Sequence, residues 1–143
     1  MDFFTAMEVI SSGLTAERVR MNITASNLAN AETTRTEAGG PYKRRDPIFE
    51  AKNLEDRRGF QSDLDQALLG VEVSEVVEDT KEPRLLFDPS HPDSNGDGYV
   101  ELPNVNMIEE MVNMMMAARS YEAGVSAMRS VTEMAQRALS VGK

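Results

Sequence analysis

The sequence predicts a mainly α fold: long N- and C-terminal helices forming a coiled-coil-like pair or bundle, with a small irregular, β-containing middle segment. Two observations carry that expectation. Apolar residues recur at steps of three and four at both ends of the chain, the period that lines up side chains on one side of a helix. Charge and methionine follow the same division: residues 1–31 carry three acids and two bases, 32–104 carry seventeen and nine, and 105–143 carry four and four, while all ten Met lie in the two ends. With 143 residues the chain has material for one modest core. The expected organisation is an N-terminal helix (1–31), an acidic middle segment with loops and short strands (32–104) and a C-terminal helix (105–143).

In the first arm the seam reads Phe3, Met7, Ile10, Leu14, Glu17, Met21, Thr24, Leu28. Six of these eight are apolar, which favours an amphipathic helix with coiled-coil spacing, ending near Ala31. Gly13 sits inside it at a cost of about 1 kcal/mol relative to Ala, and close packing would be one reason for it. The second arm starts after Pro103, where Asn104 or Asn106 can cap the first turn and Glu109 and Glu110 suit its positive end. Its seam reads Met107, Met111, Met114, Ala118, Tyr121, Val125, Met128, Thr132, Ala135, Leu139, and Gly142 closes the run. Glu133 and Arg137 stand four apart, an exposed pair worth about 0.3 kcal/mol.

Helices of about thirty and thirty-five residues far exceed a mean of about eleven or twelve. Their apolar character also spreads beyond one narrow seam, to Val9, Val19, Ile23, Ile108, Val112 and Met115. A two-helix pairing would leave such residues in water, so the expected shelter lies in other chains. The Met-rich run "MVNMMMAA" reads as core rather than as a promiscuous binding groove.

The middle is not helical in pattern. Gly39, Gly40, Pro41, Pro47 and Gly59 break up residues 32–62. "YKRRDPIFE" suits a short edge strand restricted by Pro47. "VEVSEVVED", which alternates and then shifts, and "PRLLFDP" suggest a hairpin or small sheet around residues 71–88. "SDLDQALLG" can form one or two helical turns.

"DSNGDGYVELPN", residues 93–104, resembles half of an EF-hand loop. Asp93, Asn95, Asp97 and Gly98 stand in register, but the twelfth position is Asn104 instead of a bidentate Glu, and prolines occupy the place of the entering helix. A chain reversal is the simpler reading, since Asp, Asn and Gly supply turn hydrogen bonds and positive φ. His91 is the sole histidine and there is no Cys, so neither a metal centre nor a thiolate nucleophile is expected. The acids lie where water would solvate them, which gives no paired-carboxylate site. No catalytic residue, metal or cofactor is therefore assigned. The one basic island, Lys43, Arg44 and Arg45, is too small a footprint for nucleic acid in a chain of net charge −9. "MDFFTAMEVI" lacks the basic start and apolar run of a cleaved signal peptide or a membrane anchor.

Four stretches are more specific: "ASNLANAETTRT" (25–36), "GGPYKRR" (39–45), "DPSHPDSNGDGYVELPNVN" (88–106) and "EEMVNMMMAARSYEAGVSAM" (109–128). In order and spacing they resemble the flagellar axial proteins, and within that family the basal-body rod proteins of the proximal rod, over nearly the whole chain. The resemblance implies a structural subunit whose terminal helices associate into the inner tube of a periplasmic rod. It also implies export through the flagellar type III apparatus without a cleaved signal peptide, and as partners copies of itself and other rod proteins. By position, Asn27, Leu28, Asn30 and Thr33 fall on the signature ending the first helix. Asn104, Val105, Asn106, Glu110, Met111, Arg119, Tyr121 and Glu122 fall on the signature of the second. Gly124 stands where the family usually has Asn after "YEA".

Together with the seams, the resemblance gives the expected subunit-interface set: Phe3, Met7, Ile10, Leu14, Met21, Asn27, Leu28, Asn30, Thr33, Asn104, Val105, Asn106, Met111, Met114, Arg119, Tyr121, Glu122, Val125 and Met128. The arms are expected to be loosely helical or disordered in the free subunit and to become rigid on assembly, since isolated helices are marginal. The alternatives are a free-standing coiled-coil adaptor, which would close into a defined oligomer alone, and a calcium-responsive module, which calcium calorimetry would reveal.

Overall fold

The computed structural model describes residues 3–53 and 69–141. Along the chain they form helix α1 (Phe3–Ala29), strands β1 (Arg45–Asn53), β2 (Leu69–Glu78), β3 (Arg84–Phe87) and β4 (Tyr99–Leu102), and helix α2 (Met107–Val141). The two long terminal helices appear where the seams place them, with α2 opened by Asn106: its Oδ1 accepts the Ile108 N–H at 3.1 Å, and its carbonyl accepts the Glu110 N–H at 3.0 Å. Of the two candidate caps, Asn106 is the one in use. Thirty-five residues in α2 against 27 in α1 make the second helix the longer.

The mainly α expectation does not hold. Four strands of 9, 10, 4 and 4 residues pair into two antiparallel two-stranded sheets, so the middle is a β-rich region rather than a small irregular one. The runs expected to make a hairpin or small sheet around 71–88 do form strands, but not with each other. β2 turns back to pair with β1, from Arg45↔Glu78 to Asn53↔Leu69, while β3 pairs forward with β4, from Arg84↔Leu102 to Phe87↔Tyr99. The reason is that β-branched and aromatic runs found partners well separated in sequence, and proline did not prevent it. Pro47 stands opposite Val76 in a sheet that has two strands among the described residues, where a missing N–H on an edge is tolerated. The shift in the alternation of "VEVSEVVED" is a β-bulge: Ile48 faces Glu75 and Phe49 faces Val73, leaving Ser74 as the extra residue. The proposed turns in "SDLDQALLG" fall mainly at 54–68, outside the described residues.

The helices run antiparallel against each other. Gly124 of α2 lies against Leu14 of α1, and Asn27 near the end of α1 meets Glu110 at the start of α2. Each arm thus shelters part of the other's seam, a contact the expectation of shelter in other chains left out. The first sheet packs on α1, where the Val71 N–H donates to Ser12 Oγ at 3.1 Å. Few large side chains are fully buried: the buried set includes Ala16, Ala31, Tyr42, Val100, Leu102, Val105 and Ala117.

Candidate functional site: a polar clasp beside an exposed apolar face

Where α1 ends and α2 begins, three segments converge on buried polar groups. Asn27 and Glu110 are each 1% exposed. The Asn27 amide donates from Nδ2 to the Arg45 carbonyl at 2.8 Å and to Glu110 Oε2 at 3.0 Å. Its Oδ1 accepts from the Arg45 N–H at 2.9 Å and from the Tyr42 hydroxyl at 3.0 Å. Both donors and both lone pairs of one amide are used, which is what allows it to be buried. Glu110 Oε1 accepts from Arg44 Nε at 2.7 Å, and Arg44 also pairs with Asp46. Burial alone would lower the pKa of the Arg44 guanidinium, but its hydrogen bonds to Glu110 and Asp46 outweigh that and raise it above its ordinary value. A buried carboxylate so paired fixes α2 to the loop before β1 and, through Asn27, to α1.

The "GGPYKRR" stretch exists to deliver Tyr42, Arg44 and Arg45 to this point. Gly39 and Gly40 adopt φ of 85° and 75°, conformations open to glycine, and close a turn in which the Thr36 N–H bonds to the Gly40 carbonyl at 2.9 Å. Tyr42 returns its N–H to the Thr33 carbonyl at 3.0 Å and packs with Ala31 and Val105. Asn30 caps the helix end locally: its Nδ2 donates to the Ser26 carbonyl, and its Oδ1 accepts from the Thr33 hydroxyl at 3.2 Å.

Next to this clasp the helix polarity is inverted. On the first turns of α2 the buried position is the acid Glu110, while Met107, Ile108, Met111, Val112, Met115 and Met116 are exposed, Ile108 at 73%. These six form two adjacent rows, each stepping by four, so they make one continuous apolar face. Of the expected interface residues, Met111, Asn104, Asn106, Arg119 and Glu122 are exposed, and Asn27 and Val105 are buried within the single chain. The remainder are half-buried: Phe3, Met7, Ile10, Leu14, Met21, Leu28, Asn30, Thr33, Met114, Tyr121, Val125 and Met128. Asn27 therefore spends its hydrogen bonds inside the chain. Arg44 and Tyr42, central to the clasp, were not among the expected set, and their only sequence signal was the "GGPYKRR" motif itself.

Gly124 also gains a role. A Cβ built there would come within 2.8 Å of Leu14 Cδ2, whereas at Gly13 it would meet nothing within 4 Å. Close helix approach belongs to Gly124 and not, as the seam suggested, to Gly13.

The half EF-hand is a connection between β3 and β4. Asn95 Oδ1 accepts the N–H groups of Asp97 and Tyr99 at 3.0 and 2.9 Å, and Gly98 turns the chain with φ 81° against the Phe87 ring. Asp93 accepts the Thr34 hydroxyl at 2.8 Å, tying this loop to the one after α1. Two of the three would-be ligands are thus occupied by the chain itself.

The helices that meet at the clasp are also the parts that match known proteins. Residues 7–35 match the family described as flagella basal body rod protein, and residues 97–141 match the flagellar basal body rod FlgEFG protein C-terminal family. A chain with both ends of this kind, joined by a β-bearing middle, is a flagellar axial protein of the basal-body rod class. Along its full length it is 43% identical to the flagellar basal-body rod protein FlgC of Borreliella burgdorferi (99% of this chain, 98% of the relative), and 40% identical to that of Bacillus subtilis (100% of both). Identity to the same protein of Salmonella typhimurium is 33%, again across all of both chains. The chain belongs to the flagellar basal-body rod protein FlgC family.

Proposed function

We propose that the chain is a structural subunit of the flagellar proximal rod, polymerising through its terminal helices and transmitting torque across the periplasm. The observation that carries this reading is the inverted start of α2: an acid buried by the chain's own loop, and six apolar side chains left in water beside it. A rigid helix that presents methionine and isoleucine outward needs another protein to cover it, and each such side chain fully buried contributes roughly 1.5–3 kcal/mol. The near-neutral charge of both terminal segments lets copies pack without strong repulsion. Its role is structural rather than enzymatic. Its partners in this reading are copies of itself, other rod proteins and, during delivery, the type III export apparatus, which it would use without a cleaved signal peptide. Among the described residues no helix is long and apolar enough to cross a membrane. The clasp end holds its shape in the free subunit, and the far ends of the helices become rigid when neighbours cover them.

The test replaces the chromosomal copy with the Ile108→Asp, Met115→Asp double variant. Both residues are exposed, so helical content and melting should be unchanged, while the variant should be missing from purified basal bodies and the cells should not swim. Normal incorporation and swimming would overturn the reading.

A further inference from the structure

Away from the outward face of α2, the helix pair carries two unlike apolar features. One is concave: an open groove of about 420 Å³ between α1, α2 and the first sheet, lined among others by Ile10, Leu14, Phe49, Val71, Gly124 and Ala127. Glu17 stands at its edge, and its Oε2 is shut off from water without a hydrogen bond among the described residues; Arg20 Nη1 comes no nearer than 3.8 Å. The other feature projects. Because Gly124 is level with Leu14, stepping back along α1 to Phe3 and equally far along α2 arrives at Ala135, so the last turn of α2 overhangs the pair. That turn bears Leu139, 76% exposed, and Arg137, whose side chain is 82% exposed and, among the described residues, reaches only the exposed Glu133, at 3.9 Å.

We propose that the overhanging last turn of α2 from one copy seats in the groove of a second copy, Leu139 against its apolar walls and Arg137 against Glu17. Three features support this occupant. Glu17 keeps 23% of its side chain exposed at the groove edge with its nearest cation among the described residues 3.8 Å away, and the exposed guanidinium of Arg137 is its complement; a guanidinium fork suits a carboxylate better than any other cation does. They cannot meet within one chain, since Glu17 is level with Tyr121 and Arg137 lies about 24 Å further along the helix axis. And a contact between two different patches of the same chain propagates without end when its rotation does not close on itself, as an open-ended rod requires. The inference rests on the rod reading above and names the copy-to-copy contact within it.

The chain has no Cys, so a linker can be placed at will. Ser120 lines the groove and Ser140 lies in the overhanging turn. Both sit on α2 about 30 Å apart, beyond the reach of a short bismaleimide within one chain. Cells co-expressing Ser120→Cys and Ser140→Cys copies are treated with that reagent and their basal bodies purified. The expected product is a 120–140 dimer about tenfold more abundant than either same-site dimer, reduced to the same-site level by Glu17→Arg or Arg137→Glu alone and restored when the two are combined, as charge pairing predicts. A 120–140 dimer no more abundant than the same-site ones, or linkage of the Ser140→Cys copy to a different protein, overturns the proposal while the chain's presence in the basal bodies keeps the rod reading. Absence of unsubstituted chain from basal bodies overturns both.

Discussion

The two ends of the helix pair are built on opposite plans. Where α1 stops and α2 starts, polar groups are buried and mutually satisfied, with Asn27, Tyr42, Arg44, Arg45 and Glu110 joining three segments through bonds of 2.7–3.0 Å. At the opposite end Phe4, Met134 and Leu139 are exposed, and α2 runs on past α1 with nothing of the described chain beside it. A buried, hydrogen-bonded network fixes a geometry at the cost of desolvating charge; exposed apolar side chains fix nothing until a partner arrives. One end therefore sets the angle at which the β-rich middle leaves the helices, and the other is reserved for contact.

Glu110 carries the largest expected effect. Glu110→Ala leaves Arg44 largely buried with only Asp46 to pair with, and removal of one member of such a pair costs about 3 kcal/mol. Urea unfolding followed by helical signal should show that loss, whereas Leu139→Ala at the far end should change stability by less than about 0.5 kcal/mol. Equal effects would mean the ends are not different in kind. Asn27→Ala comes next, at about 2 kcal/mol, because it strands the Arg45 N–H and the Tyr42 hydroxyl together with part of Glu110.

Gly124 lies between the two ends and sharpens the contrast. Gly124→Ala gains about 1 kcal/mol of helix propensity but pushes a methyl into Leu14, and overpacking of this kind costs typically 1–3 kcal/mol. A net loss of about 1 kcal/mol is expected. In a Leu14→Ala background the same change should be stabilising, so a double-mutant cycle reads the contact directly. Stabilisation in both backgrounds would show that the helices do not approach closely here.

The smallest effect concerns pH and lies outside the helix pair. Asp88 accepts from the Ser90 hydroxyl and N–H, which lowers its pKa below the ordinary 3.8. A depressed folded pKa means the contribution is present above the unfolded value and is lost as pH falls through the folded one. The turn after β3 should therefore loosen only under acid conditions, seen as faster amide exchange at Ser90. Loosening near neutral pH would contradict the assignment.

Periodicity made the helices legible, because a seam repeating over seven or more turns leaves few alternatives, and Asn106 with Glu109 and Glu110 marked the start of α2 to within a residue or two. Strands were legible in "YKRRDPIFE", "VEVSEVVED" and "PRLLFDP", but their pairing was not. β1 and β2 are separated by the whole of residues 54–68, and nothing local in "RDPIFEAKN" says that "LGVEVSEVVE" is its partner. The clasp was half legible. Asn27 and Glu110 stood on recognised signatures, yet both read as surface or interface residues because burial of an amide or an acid depends on partners that only the folded chain supplies. Arg44 looked like part of a solvated basic island for the same reason. Gly124 stood out only as a departure from the family's usual Asn, since its reason for being small lies across the interface in Leu14.

Whether other subunits cover the outward face of α2 in the rod can be read directly. Its methionines are natural probes: a pulse of peroxide on the free subunit, followed by peptide mass spectrometry, should oxidise Met107, Met111, Met115 and Met116 readily. The same pulse on purified basal bodies should leave them about tenfold or more protected, in keeping with full burial. Oxidation at equal rates in both states would show that face to be open in the assembled rod, and the account would be wrong.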